Sequence, residues 1–374
     1  MAERYIGLMS GTSLDGIDGV VADFEGGSAR VTQYATAPFP PALRAELLAL
    51  NTPDGRNELH RAALAASGLA RVYGEVVARL LADGGFTPAD ITAIGAHGQT
   101  VRHRPGEFDG IGYTLQLNHP ALLAERCGID VVADFRSRDV AAGGQGAPLV
   151  PAFHRGLFGQ ADHAVAVLNI GGISNLSLLP PAQDGGKAPV LGFDCGPGNA
   201  LMDHWCRQQT GAAYDASGHW AAQGRVQPAL LAIWLAEPFL AKAPPKSTGR
   251  DLFNPAWLEA RLGDGKAAPV DVQATLAEFT ARACADDLKR FGSGSRALIV
   301  CGGGALNDHL MSRLAALLPG IDVRSSAAHG LPPQQVEAAA FAWLARAMVR
   351  REPGNLASVT GARGARVLGA LYPA

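Results

Sequence analysis

Residues 4–9 and 19–24 are apolar runs of strand length joined by a short polar turn, and 30–36 alternates apolar and polar positions. This pattern predicts an antiparallel three-strand meander. Two helical stretches follow, Pro41–Leu50 and Glu58–Leu81, the second with Ala63, Leu69, Val72, Val76 and Leu80 recurring near helical spacing. They are expected to cover one sheet face. Asp90–Ala96 reads as a buried strand that delivers His97-Gly98-Gln99-Thr100 at its end, where open α/β sheets place ligands. A strand over Gly112–Leu117, a helix over Pro120–Cys127 and a strand over Ile129–Ala133 complete the half. The glycine-rich stretch Ala141–Pro148 then reads as a crossing between lobes or a ligand-facing loop.

The second half repeats this logic. Val165–Leu179 is again strand, glycine-rich polar turn, strand, and Val190–Asn199 is a strand that runs into a tight turn and a helix beginning near Ala200. Asp194 therefore sits at a strand end. Ala297–Asn307 gives a buried strand, a triple-glycine loop and a helix from about Asp308. A last helix is opened by Pro332-Pro333, with Val336, Ala340, Trp343 and Ala347 as its inward stripe. The similar halves predict a duplicated α/β architecture.

Bulk properties narrow the partners. At 374 residues the chain exceeds what one core organises, so two lobes of roughly 100–200 residues are expected. Net charge is −2, and the densest basic group is only Arg102-His103-Arg104, which excludes a nucleic-acid arm and favours a small-molecule partner. The five cysteines are scattered without Cys-x-x-Cys spacing, which fits reduced thiols and a cytoplasmic setting. Neither a signal peptide nor a membrane span is visible.

Three glycine-rich turns that each follow an apolar strand fit a nucleotide held between two lobes. In that reading Gly11, Thr12, Ser13, Leu14, Asp15, Gly16, Ile17 and Asp18 grip phosphates through N–H groups and hydroxyls, opposed by Gly171 and Gly172. Gly302, Gly303, Gly304 and Asn307 give the rest of the nucleotide bare backbone to lie on. The opening turn is equally what any β-hairpin needs. Neither a Walker A sequence, a protein-kinase glycine loop nor a Gly-x-Gly-x-x-Gly fingerprint is present.

Taken together, Gly7–Asp18, His97–Thr100, Asn169–Asn175, Phe193–Asn199 and Gly302–Asn307 resemble the anhydro-N-acetylmuramic acid kinase family, across essentially the whole chain. That family belongs with sugar kinases, hexokinase, actin and heat-shock ATPases. The resemblance implies a two-lobed actin-like ATPase (ribonuclease H-like) α/β fold, with mixed sheets flanked by helices and ATP and Mg²⁺ in the cleft. The lobes are drawn at 1–140, completed by 357–374, and 141–356. The implied reaction opens the 1,6-anhydro bridge of the sugar with water and phosphorylates O6, in cytoplasmic recycling of cell wall by a homodimer.

Asp194 matches the family's catalytic base, a role that needs a carboxylate because water must lose a proton as it attacks. A helix N-terminus after Asn199 is expected to favour its ionised form. Cys195, adjacent on the strand, points to the opposite face and reads as packing. For the sugar the candidates are His97, Gln99, Thr100, Glu337 and either Arg136 or Arg138, since a lactyl carboxylate suits a guanidinium. The wider superfamily's Asp-x-Gly-Thr turn is replaced here by Met9-Ser-Gly-Thr12, so the sequence identifies no metal ligand. The alternative is an actin-like or chaperone-like ATPase that couples nucleotide state to partner binding. With little sequence after Gly361, no appended peptide-binding domain is expected.

Overall fold

The computed structural model describes residues 3–11, 14, 16–25, 28–53, 55–185, 188–249, 251–263 and 267–374. Contacts divide the chain into one unit of Met1–Leu157 with Gln335–Ala374 and another of Phe158–Gln334.

The first unit carries strands β1 (Glu3–Met9), β2 (Gly16–Glu25), β3 (Ser28–Pro38), β4 (Ala93–Ala96), β5 (Gln99–Pro105), β6 (Gly112–Leu117), β7 (Val131–Ala133) and β13 (Ala370–Tyr372). Its helices are α1 (Pro41–Leu50), α2 (Glu58–Gly84), α3 (Pro120–Cys127), α4 (Ser137–Ala141), α5 (Val150–Phe158), α12 (Val336–Val349) and α13 (Ala357–Thr360). The main sheet has the order β13-β7-β4-β1-β2-β3; β5 and β6 form a separate hairpin. β1, β2 and β3 are antiparallel neighbours, and β4 and β7 extend the sheet in parallel from β1. Alternation along β1 explains the layering. Ile6 and Leu8 join the core under α1 and α2 with Leu47, Leu69 and Val76, whereas Tyr5 faces the opposite core with Phe341, Ala342 and Ala345 of α12. Gly7 and Gly95, paired in register on β1 and β4, let α12 lie against the sheet. A Cβ at either would collide with the carbonyl oxygen of Ala338 or Phe341. That packing places α12 in the first unit, whereas the sequence-based division put 335–356 with the second.

The second unit carries β8 (Ala164–Ile170), β9 (Ile173–Leu179), β10 (Leu191–Pro197), β11 (Ser295–Cys301) and β12 (Asp322–Ser325). Its helices are α6 (Ala200–Thr210), α7 (Pro228–Leu235), α8 (Pro238–Ala241), α9 (Pro255–Glu259), α10 (Pro269–Phe291) and α11 (Asp308–Leu317). The sheet order is β10-β9-β8-β11-β12. β8, β9 and β10 are antiparallel neighbours, and β11 and β12 continue in parallel. This is the topology of the first unit again: a three-strand meander whose first strand is extended by two parallel strands. The duplicated ribonuclease H-like fold expected from sequence is therefore present. Trp234, Phe253, Trp257 and Phe279 fill the core beside the sheet.

The Gly-rich stretch 141–148 lies within the first unit, held by the buried carboxylate of Asp139. Asp139 accepts from the Gly146 N–H at 2.8 Å, from Asn355 Nδ2 at 2.6 Å and from Thr360 Oγ1 at 2.8 Å.

Candidate active site

In the first unit the polar turn after β1 is fastened to the end of β4 by Tyr73 of α2. Tyr73 Oη lies 3.1 Å from Ser10 Oγ and accepts from the Gly98 N–H at 3.0 Å, while Ser10 Oγ donates to the Gly98 carbonyl at 2.9 Å. All three groups are buried, and burial pushes the Tyr73 hydroxyl up to about 12. Thr12, Ser13 and Asp15 lie outside the described residues. The side chains of Leu14 and Ile17 enter the core, so those residues can meet a ligand only through their backbone. Leu14 adopts φ 57°, its N–H donates to the Gly11 carbonyl at 3.2 Å, and its own carbonyl accepts from Arg44 Nε at 2.9 Å. Gly16 opens β2, and Asp18 faces Met9 across the hairpin, accepting from Tyr34 Oη at 2.6 Å.

The strand-end cluster converges here. His97 is buried, with Nδ1 3.3 Å from the Ser10 carbonyl oxygen and Nε2 accepting from Arg136 Nε at 3.1 Å and Nη2 at 2.9 Å. This assigns the proton to Nδ1 and leaves the ring neutral. Burial and the Arg136 charge push its pKa down to about 3. Arg136 Nη1 also donates to the Gly146 carbonyl at 2.8 Å. Burial lowers this guanidinium to about 10 against the opposing pull of Glu337 and Asp139. Between the two arginines left open by sequence, Arg136 joins the cluster and Arg138 is exposed. Gln99, fully buried, donates from Nε2 to the Gly11 carbonyl at 3.2 Å. Its Oε1 finds no hydrogen-bond partner among the described residues. Thr100 instead accepts from Gln116 within the β5–β6 hairpin, at 3.2 Å. Glu337, in the first turn of α12, is held above the usual carboxylate range by burial and then by the Asp18 charge, with Arg136 acting the other way.

In the second unit Asp194 lies opposite Asn175 at an irregularity in β10, where the register shifts between Asp194 and Gly196. Its N–H donates to the Lys246 carbonyl at 3.1 Å. Its Oδ2 accepts from the Thr248 N–H at 2.9 Å and from Ser247 Oγ at 3.1 Å. Burial pushes Asp194 above the usual carboxylate range, although Thr248, Ser247 and the Lys246 charge all act to lower it. Residues 246–248 are the functional neighbours that the sequence reading missed. Their only signal is the loop composition of Pro244-Pro245-Lys246-Ser247-Thr248-Gly249. Cys195, next to Asp194, is fully buried on the core side, as alternation predicts.

The helix-terminus expectation is corrected. The N–H groups of Asn199, Gly198 and Ala200 donate to the Gly171 and Gly172 carbonyls at 2.7, 3.0 and 3.3 Å, so the start of α6 closes the β8–β9 turn. It leaves those donors committed, and Asp194 is raised, not lowered. Gly302 adopts φ 76°, where a Cβ would collide with Asn169 Oδ1; Gly304 packs against Ile170. Gly303 is exposed, and Asn307 caps α11 by accepting from the Leu310 N–H at 2.9 Å.

The first unit can therefore supply a buried neutral histidine and a charged arginine beside acidic side chains, and the second unit, taken by itself, supplies a raised, firmly held carboxylate. Comparison with known proteins gives this chemistry its context. A protein from Variovorax paradoxus (strain S110), named anhydro-N-acetylmuramic acid kinase, is 71% identical over 373 residues, covering 100% of this chain and 99% of its own. One of the same name from Albidiferax ferrireducens is 62% identical, covering 100% of both chains. Among solved structures, a ROK family glucokinase from Streptomyces griseus in complex with glucose and AMPPNP aligns with TM-score 0.43 and 17% identity, covering 92% of this chain and 99% of that one. The family model described as anhydro-N-acetylmuramic acid kinase matches residues 3–374, and the chain belongs to that family.

Proposed function

We propose that this protein is an ATP-dependent kinase that hydrolytically opens 1,6-anhydro-N-acetylmuramic acid and phosphorylates its O6, giving N-acetylmuramic acid 6-phosphate and ADP in peptidoglycan recycling. Within the site, the observation that carries the mechanism is Asp194, fixed through Oδ2 by Ser247 and Thr248 and raised toward the range of a working base. Asp194 takes the proton of a water whose oxygen bonds to the anomeric carbon, the bond from that carbon to O6 breaks, and the freed O6 attacks the γ-phosphorus while ADP leaves. A base oriented in this way contributes about 10²–10⁴-fold.

In the proposed division of labour the first unit recognises the sugar through His97, Gln99, Arg136 and Glu337, with Thr100 set further back in its hairpin. The lactyl carboxylate is assigned to Arg136, whose Nε and Nη2 are fixed on neutral His97 and whose Nη1 and Nη2 each keep a second N–H to donate. Phosphates are assigned to the turns at 11–18 and 171–172, and the remainder of the nucleotide to 302–304 and Asn307. No cluster of three or more ligating side chains occurs among the described residues, which fits Mg²⁺, an ion held through one or two carboxylates together with phosphates and water. Asp18 is the hard-oxygen donor suited to hold it. It stands opposite Met9 in the hairpin, on the face of the position where related ATPases carry their aspartate. Mg²⁺ would supply charge neutralisation on the transferring phosphoryl group.

A cytoplasmic homodimer is part of this proposal. It is supported by the family resemblance and by five cysteines that are all free thiols. No helix among the described residues is long and apolar enough to cross a membrane. The test is ADP release by the purified protein with ATP, Mg²⁺ and the anhydro sugar. Sugar-dependent release that falls about 10²–10⁴-fold in Asp194→Asn supports the assignment. Release independent of the sugar would move the protein to the partner-coupled ATPases.

A further inference from the structure

We propose that the buried ion pair between Lys246 and Asp287 is the device that positions Asp194, an inference that rests on the reading of Asp194 as the base. Lys246 Nζ lies 2.7 Å from Asp287 Oδ2 on α10, and both side chains are almost fully enclosed, at 1% and 6% exposure. The ammonium also donates to the Leu240 carbonyl at 3.3 Å and stands over the rings of Phe239 and Phe193, 5.2 and 5.8 Å from their centroids.

Three consecutive residues, beginning with Lys246, then grip Asp194. The Lys246 carbonyl takes the Asp194 N–H, the Ser247 hydroxyl and the Thr248 N–H take Oδ2. Among the described residues of 242–254, none belongs to a helix or strand that could hold this segment by itself. Its fixed point is the lysine side chain, sunk through the core to a helix behind the sheet. A charge buried this deeply is costly unless paired, and removal of both charges together is tolerated far better than removal of one. The pair is thus weak as a source of stability and well suited to hold a loop in one place. Its other titratable and charged neighbours are Asp194 and Cys195 on β10, Cys284 on α10 and Arg290 near the end of α10.

Displacement of a reacting group by about 1 Å costs on the order of 10²-fold in rate. Lys246→Met, which keeps the hydrocarbon stem, is expected to lower kcat by about that factor with ATP affinity unchanged. It also removes a positive charge and two tethered donors from Asp194, so the acid limb of kcat/KM moves to higher pH. Asp287→Asn keeps the charge and loses the tether, so kcat falls and the limb moves up by less than in Lys246→Met, through the two donors alone. In Asp287→Asn, where the lysine charge stays, a merely structural role would reduce the folded fraction and leave both the limb and kcat per folded molecule in place.

Should Lys246→Met not fold, the paired variant Lys246→Met with Asp287→Leu, in which no charge is orphaned, is read in the same way. A folded variant whose kcat and acid limb match the wild type overturns the inference. Carboxyl ¹³C NMR of aspartate-labelled protein, assigned with Asp194→Asn, follows the Asp194 titration without turnover. A wild type that turns over no anhydro sugar therefore overturns the proposed function, while an Asp194 titration equal in wild type and Lys246→Met overturns the positioning role.

Discussion

At the scale of single residues, buried His97 and half-buried Asp194 carry opposite electrostatic signatures that suit opposite tasks. His97 is held neutral by burial and by Arg136, so it orients a guanidinium without adding charge. Asp194 is pushed up by burial and must be ionised to accept a proton. Because its folded pKa lies above the ordinary 3.8, kcat/KM should fall as pH drops through a value above that, with full activity at higher pH. A pH–rate profile that stays flat down to the ordinary carboxylate range would contradict this. Asp194, His97, Arg136 and Glu337 were visible in the sequence because each stands at a strand end or in a helix first turn beside a motif. Ser247 and Thr248 were not, since their hydrogen bonds to Asp194 span 53 and 54 residues and begin in a loop with no periodicity.

Elements were legible where one face is apolar and the other polar. The opening meander, α2 and the parallel strands β4, β7 and β11 follow from period-two and helical patterns and lie where the sequence placed them, whereas the short parallel strand β12 was not read. The β5–β6 hairpin was only half read, because Gln99–Pro105 is largely polar and packs as a separate two-stranded sheet. The α10 helix escaped for the opposite reason. Its Ala, Thr and Gln positions are buried on most sides, so no polar face marks it. The contact between α12 and the sheet depends on Gly7, which opens a motif, and on Gly95, which no pattern singled out. Gly95→Ala would drive a methyl group into the Phe341 carbonyl and should cost about 1–3 kcal/mol, read as a lower urea midpoint. An unchanged midpoint would mean that α12 sits farther from β4. The same shift moves Glu337, so sugar KM should rise in that variant.

For the whole molecule, the repeated strand order in the two units explains why two glycine-turn hairpins occur in one chain, and why each half could be recognised from the other. Global stability should reflect the two neutral buried histidines. His97 and His154 both have pKa values pushed down to about 3 from 6.5. The unfolded chain therefore binds more protons between those values. Stability is complete above about pH 6.5 and lost as pH falls toward 3, by about 1.4 kcal/mol per pH unit per histidine. Urea unfolding at pH 7.5 and 5.5 measures this slope, and His97→Gln should flatten it. The central claim, that one site couples hydrolysis of the anhydro bridge to phosphoryl transfer, is tested most directly in H₂¹⁸O. With ATP, Mg²⁺ and 1,6-anhydro-N-acetylmuramic acid, mass spectrometry should find a 6-phosphorylated sugar carrying one ¹⁸O at the anomeric carbon. A phosphorylated sugar that retains the anhydro bridge, or ADP formed with no sugar product, would contradict it.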